Sequence, residues 1–280
     1  MLDRRHVLTG GLSLATLAAV GAPARAEVAL RGEFVQGMLL RGKTEPGANV
    51  RFDGKKLGVS ANGDFAFGFA YDRKDPAELS IKLAGGVGET KSIPVAAREY
   101  KIQRINGLPG KYVEPPASVL KRIERDNRLI GAARARDTDE AWFADTFAWP
   151  VKGPVTGVYG SRRILNGVEK RPHYGVDIAV GTGTPIKAPV GAIVSMAEDD
   201  LYFTGGTVIL DHGHGVSTSY LHMSRIDVKV GDRVEKGATI GATVLRCAVW
   251  RGGSMRMKLG SSWPLGWSAI WMPPSSEADE

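Results

Sequence analysis

Between residues 27 and 100 the chain runs in short apolar-polar alternations broken by turn signals. Val50-Arg-Phe52, Phe65-Ala-Phe67-Gly-Phe69 and Ser80-Ile-Lys-Leu83 alternate with period two, and Pro46-Gly47, Asp53-Gly54 and Asn62-Gly63-Asp64 punctuate them. Strands at this spacing predict a small β-sandwich. No charged or histidine cluster marks a site there, so a spacer or recognition module is the reading. Pro115-Pro116 closes the region. The period then becomes helical: Val119, Leu120, Ile123 and Ile130 follow Ser118, which is placed to cap the helix. Arg122, Arg125, Arg128, Arg134 and Arg136 make this helix basic, and it reads as a solvated linker packed along a neighbour. Trp142, Phe143, Phe147 and Trp149 lead into Pro150, where β patterning resumes with dense glycine punctuation to about residue 241. Thr207-Val-Ile-Leu210 predicts a buried strand, and Ile226-Asp-Val-Lys-Val230 a strand alternating into a Gly231-Asp232 turn.

Composition narrows the picture. A pair, Arg4-Arg5, precedes an apolar small-residue stretch and Ala24-Arg25-Ala26. That pattern predicts a twin-arginine-like signal peptide over 1–26, removed after Ala26, and hence a periplasmic or otherwise exported protein with no stable membrane span. One cysteine, Cys247, excludes an internal disulfide. A net charge of +7 suits acidic envelope polymers. Without a lysine-arginine block or aromatic-basic interleaving, the same charge gives no support for a nucleic-acid partner.

Five histidines in 280 residues make their placement informative. His173-Tyr-Gly-Val-Asp177 sets an imidazole and a carboxylate four positions apart, and Tyr220-Leu-His222 follows. Such a pair can reach one Zn²⁺, whose catalytic sites use about three protein ligands and an open position. Taken alone, His-x3-Asp is more often an ordinary surface pair. His212 and His214 form an H-x-H that offers further donors.

The flanking sequence resembles the M23 (LytM-type) zinc peptidases. The similarity runs in order through Gly160-Ser-Arg-Arg, Pro172-His173-Tyr-Gly-Val-Asp177-Ile-Ala, Gly181-Thr-Gly-Thr-Pro185, Gly205-Gly-Thr-Val-Ile-Leu-Asp-His-Gly-His-Gly-Val, Tyr220-Leu-His222-Met and Gly231-Asp-Arg-Val-Glu-Lys-Gly237. The resemblance implies a zinc endopeptidase cleaving peptide cross-links of peptidoglycan. It places His173 and Asp177 as metal ligands and His222 as the catalytic residue that stabilises the oxyanion or relays protons. His212 and His214 fall on a strand-to-turn connection peripheral to the metal.

The expected fold is mainly β. It comprises a small β-sandwich over 27–100, a linker with a basic helix over 101–149, an M23-like antiparallel sheet over 150–241, and an atypical tail over 242–280. The tail departs from the resemblance, which implies a closing Gly-Pro-His-x-His strand whose second histidine is the third zinc ligand. No histidine follows His222, and Met255-Arg-Met257 stands near that place. Trp250, Trp263, Trp267 and Trp271 crowd the same end. Two origins stand open, an out-of-frame tail and a genuinely divergent terminus, with Cys247 a substitute ligand in the second. Two functions accordingly compete: an exported M23-type endopeptidase impaired by a missing ligand, and a non-catalytic LytM-like protein that binds wall or regulates a hydrolase. A third class, a biotinyl- or lipoyl-carrier domain, shares the hairpins around 186–191 and 230–237, but export argues against it.

Overall fold

A computed structural model describes residues 28–253; the expected signal peptide at 1–26 and residues 254–280 of the expected tail lie outside the described residues. The amino-terminal module is a sandwich of two small sheets. One joins β1 (Ala29–Arg31), β2 (Leu39–Lys43) and β5 (Asp64–Gly68); the other joins β3 (Asn49–Phe52), β4 (Lys55–Lys56), β6 (Ala77–Lys82) and β7 (Gly88–Ile93). Leu40, Phe65 and Phe67 of one meet Val50, Phe52, Leu79 and Ile81 of the other in a shared core. Period-two alternation requires this outcome, because each strand has one apolar face to remove from water.

Next come β8 (Ile102–Ile105), a single turn α1 (Gly110–Val113) and the helix α2 (Ala117–Arg134). The helix starts at Ala117, with Pro116 as its cap and no side-chain capping bond, so Ser118 falls within the first turn. Pro116 holds ψ at 155°, an extended geometry from which the chain turns directly into the helix. Of the expected apolar set only Ile130 is fully buried, joined in the stripe by Asp126 and Ala133, while Val119 and Ile123 are half-buried and Leu120 is exposed. Between helix and second domain, Phe143 and Phe147 bury against Leu39 and Ala66 of the sandwich and Val190 and Val216 beyond. Arg41 donates to the carbonyls of Ala144 and Asp145 across the same junction.

The second domain is an eight-stranded sheet. Its order is β17 (Arg233–Val234), β14 (Ala192–Leu201), β15 (Gly205–Asp211), β16 (Val216–Ile226), β18 (Thr239–Gly253), β12 (Val176–Ala179) and β9 (Val155–Gly157), with β13 (Pro185–Lys187) also on β18. Every pairing in it is antiparallel. A hairpin of β10 (Arg162–Leu165) and β11 (Val168–Lys170) stands apart, and β8 adds to it in parallel. Of the expected strand over 226–230 only Ile226 is one, as the last residue of β16. The chain turns at once, because Asp232 accepts from the Lys229 amide and donates its own amide back to the Lys229 carbonyl.

The sheet has two dissimilar faces. Val176, Ile178, Val194, Val208, Leu210 and Tyr220 share one core. Residues between them in sequence face the other way: Ile209, with Met196 and Leu201, packs under Ile130 and Ala133 of α2. Asp177, between Val176 and Ile178, faces that same side. The helix and the His173–Asp177 pair therefore share one face of the sheet.

Strand β18 crosses position 242 without interruption. It pairs Val176 to Val249 and Asp177 to Ala248 on one side, and Tyr220 to Val249 and Leu221 to Ala248 on the other.

Candidate metal centre

His173 ends the link from β11 to β12. Its amide donates to the Ser161 carbonyl and its own carbonyl accepts from Gly160, so the backbone is clamped on both sides. The ring is buried, and Nε2 lies 3.1 Å from Oδ1 of Asp177. Its Nδ1 is buried with no hydrogen-bond partner among the described residues. A metal-bound histidine ordinarily ties its second nitrogen to a neighbouring acceptor, and none stands there among the described residues.

Asp177 sits on β12, paired to Gly157 of β9 and Ala248 of β18. A methyl group at 157 would meet Asp177 Oδ2, so a side chain there would have to displace the carboxylate. The Arg163 guanidinium stands 3.4 Å from Oδ2. Burial pushes the Asp177 carboxyl up. The hydrogen bond from His173 and the charges of His173, Arg163 and His222 outweigh it, and hold the carboxyl below its ordinary range.

His222 reaches the pair from β16. Register breaks between Leu221 and Met223, and His222 takes φ 57°, a left-handed conformation rare for a side-chain-bearing residue. Its amide leaves the ladder and donates to the Thr204 carbonyl at 2.9 Å. Burial lowers the pKa of the ring, Asp177 opposes that and Arg163 adds to it, so the net direction is toward the neutral imidazole.

The structure thus brings His173, Asp177 and His222 together and keeps the H-x-H pair away. His212 is fully buried, with Nδ1 on the Gly191 carbonyl at 2.9 Å and Nε2 on Thr218 Oγ1 at 2.8 Å. His214 lies edge-on to Phe143 and against Gly58 of the sandwich. Among the described residues, no group of three or more His, Cys, Asp and Glu side chains is disposed to hold a metal. Arg163 and Thr204 carry no sequence mark as members of the site; only the fold shows them there.

A sheet face bearing a His-x3-Asp pair and a second-strand histidine is an arrangement suited to a metallopeptidase-type β domain. Comparison with known proteins agrees. The profile of Peptidase family M23 matches residues 171–247, and the chain carries a domain of that family. Over 169 residues the chain is 41% identical to the peptidoglycan DD-endopeptidase ShyA of Vibrio cholerae, a match covering 58% of this chain and 34% of ShyA. An uncharacterized metalloprotease of Haemophilus influenzae is 30% identical over 162 residues, covering 58% of this chain and 30% of that protein. The chain thus spans about a third of the length of these curated relatives. A crystal structure from Pseudomonas aeruginosa designated peptidase M23 superposes with TM-score 0.60 at 27% identity, over 79% of this chain and 90% of that one. Among the described residues no helix is long and apolar enough to cross a membrane.

Proposed function

We propose that this chain is an exported, peptidoglycan-directed M23 protein in which His173 and Asp177 are zinc ligands and His222 is the catalytic histidine. We propose further that its hydrolytic activity is impaired by the loss of a third ligand. The observation that carries the reading is the convergence of His173 Nε2 and Asp177 Oδ1 on one point, 3.1 Å apart, with His222 alongside. These donors fit zinc in type and spacing, but they are two where catalytic zinc uses about three. Zinc supplies Lewis-acid polarisation of a scissile carbonyl. Around it, the residues have separable tasks. Asp177, held ionised, contributes negative charge; His222, biased neutral, is able to accept a proton at an imidazole nitrogen; the neighbouring Arg163 limits how much cationic charge the site accepts.

The register guides the choice of a variant that adds a third donor. Ala248 pairs with both Asp177 and Leu221 across the sheet, and alanine itself offers no metal donor. Zinc analysis of the purified chain and of Ala248→His tests this, with peptidoglycan digestion alongside. The parent should carry well under one zinc and release no peptide fragments. The variant should approach one zinc and release them. A parent with one tightly held zinc would overturn the missing-ligand reading. Sequencing the DNA across codons 240–260 then decides the tail's origin, since a neighbouring frame encoding Gly-Pro-His-x-His identifies a lesion.

One observation favours a second reading, a non-catalytic wall-binding or hydrolase-regulating protein. Asp177 already has cationic and hydrogen-bonding partners in Arg163 and His173, so the carboxylate is balanced by the protein alone. Peptidoglycan pull-down without zinc uptake by Ala248→His would support it.

A further inference from the structure

Helix α2 carries an oddity. Its buried stripe is Asp126, Ile130 and Ala133, and a carboxylate at the head of an apolar stripe is costly unless it is bonded. Asp126 is 4% exposed. Its Oδ2 accepts the backbone amide of Tyr202 at 2.8 Å, and its Oδ1 stands 4.0 Å from Arg125 Nε. Tyr202 opens the tip of the β14–β15 hairpin, where Leu201 pairs with Gly205 and the glycine takes φ 56°. Arg122, one turn earlier on the helix, holds the same hairpin through the Asp200 carbonyl at 3.0 Å and carboxylate at 2.8 Å, and lies over the Tyr202 ring. Two residues beyond Tyr202, the Thr204 carbonyl takes the amide of His222.

We infer that Asp126 is a positioning residue: through the Tyr202–Thr204 hairpin tip, helix α2 holds His222 in its left-handed backbone conformation. The argument is one of compensation. His222 leaves the β16–β18 ladder, so its amide needs another acceptor, and a non-glycine residue at φ 57° costs on the order of 1–3 kcal/mol unless its surroundings fix it. Thr204 provides that acceptor only while the tip keeps its place. The tip is a three-residue loop whose first amide has its partner on the helix. A charge-assisted bond from a buried carboxylate is stronger and more directional than apolar packing at that spot, which accounts for aspartate where the stripe calls for leucine. The helix is thereby part of the site's scaffold. In giving His222 a role the inference rests on the proposed function; the mechanical link from Asp126 to His222 does not.

Residue-resolved amide hydrogen exchange on the full chain tests the link, comparing the parent with Asp126→Ala, Asp126→Asn and Arg122→Ala. Asp126→Ala should speed exchange at both Tyr202 and His222 by at least tenfold, with the amides of β12 and β15 unchanged. Asp126→Asn keeps an acceptor oxygen and should return both to within about threefold of the parent. Arg122→Ala, a milder change, should move the same two amides by a smaller factor and serves if Asp126→Ala fails to fold. Faster exchange at Tyr202 with His222 unmoved would overturn the inference, since the tip would then hold His222 without the helix. A uniform rise across the sheet, or no rescue by Asn, would reduce Asp126 to general stability and overturn it equally. Zinc content of the same samples separates the two claims: coupled exchange in a chain that takes no zinc keeps the brace and removes the peptidase reading.

Discussion

The turn at 211–215 and the site around Asp177 each hold two histidines, and the structure puts these to opposite uses. His212 has both ring nitrogens occupied, no exposure, and a T-shaped contact with Phe147 at 5.1 Å. His173 is nearly as buried, yet one nitrogen faces a carboxylate and the other has no partner. His222 stands in a backbone conformation that its own residue type disfavours. Burial alone therefore does not distinguish a structural histidine from a functional one. Nor does satisfaction: His212 has both nitrogens occupied, but His214 at the same turn takes φ 48° and leaves its buried Nε2 without a partner among the described residues. What sets His173 and His222 apart is their place beside the Asp177 carboxylate.

That contrast can be broken in order of effect. His212→Ala removes a fully buried ring and strands the Gly191 carbonyl and the Thr218 hydroxyl, and should cost about 3 kcal/mol, read as a drop in denaturant midpoint, with zinc content unchanged. If zinc uptake falls in step, the turn is not the separate structural unit described. His173→Ala should cost only about 1 kcal/mol, because the ring's single polar contact is to Asp177. It should also abolish whatever zinc the chain retains, as measured by competition with a chromogenic chelator. Retained zinc would place the ion elsewhere.

Asp177→Asn sharpens the comparison through pH. The Asp177 carboxyl is held below its ordinary value, so folding binds it ionised. Its stabilising contribution is present above the unfolded value of about 3.9 and is lost as pH falls through the lower folded one. Denaturant melts of parent and variant should therefore differ at pH 7, with the gap starting to close only below about pH 4 and vanishing below the folded value. A gap independent of pH would assign the effect to packing. The smallest change should be His222→Gly, which relieves the left-handed backbone and should raise stability by about 0.5–1 kcal/mol while removing the imidazole. A destabilised variant would show that the ring's contacts outweigh its strain.

Much of this architecture was legible beforehand, for identifiable reasons. Phe65 and Phe67 alternate along β5 and reach the sandwich core as their period implies, with Phe69 just past the strand's end and Ala66 buried on the opposite face, which the alternation did not foretell. The order of motifs from Gly160 to Gly237 carried the resemblance. The convergence of His173, Asp177 and His222 followed from that resemblance. The cap at Ser118 failed because the prolines before it already set the chain direction. Arg163 beside Asp177, the Thr204 bond to His222 and the Asp126 brace left no trace in the sequence, since each joins elements distant along the chain by backbone or long side-chain reach. Strand β18 was also hidden: Leu245-Arg-Cys-Ala has no clear period. It extends because β12 and β16 both present unpaired backbone to it, and hydrogen-bond demand from two neighbours overrides weak local preference.

The position of β18 has a consequence for how the domain comes into being. It is the last strand of the described chain, yet it lies inside the sheet, between β16 and β12. During synthesis these two strands must wait for it, and until residues 239–253 emerge the sheet exists as two halves with exposed edges. Contacts from β12 to β18 close a loop of some 70 residues, a long search that slows folding. The nascent domain therefore passes through a period of vulnerability to mispairing with other chains. That period ends only when the strand that pairs with Asp177 on one side and Leu221 on the other is in place.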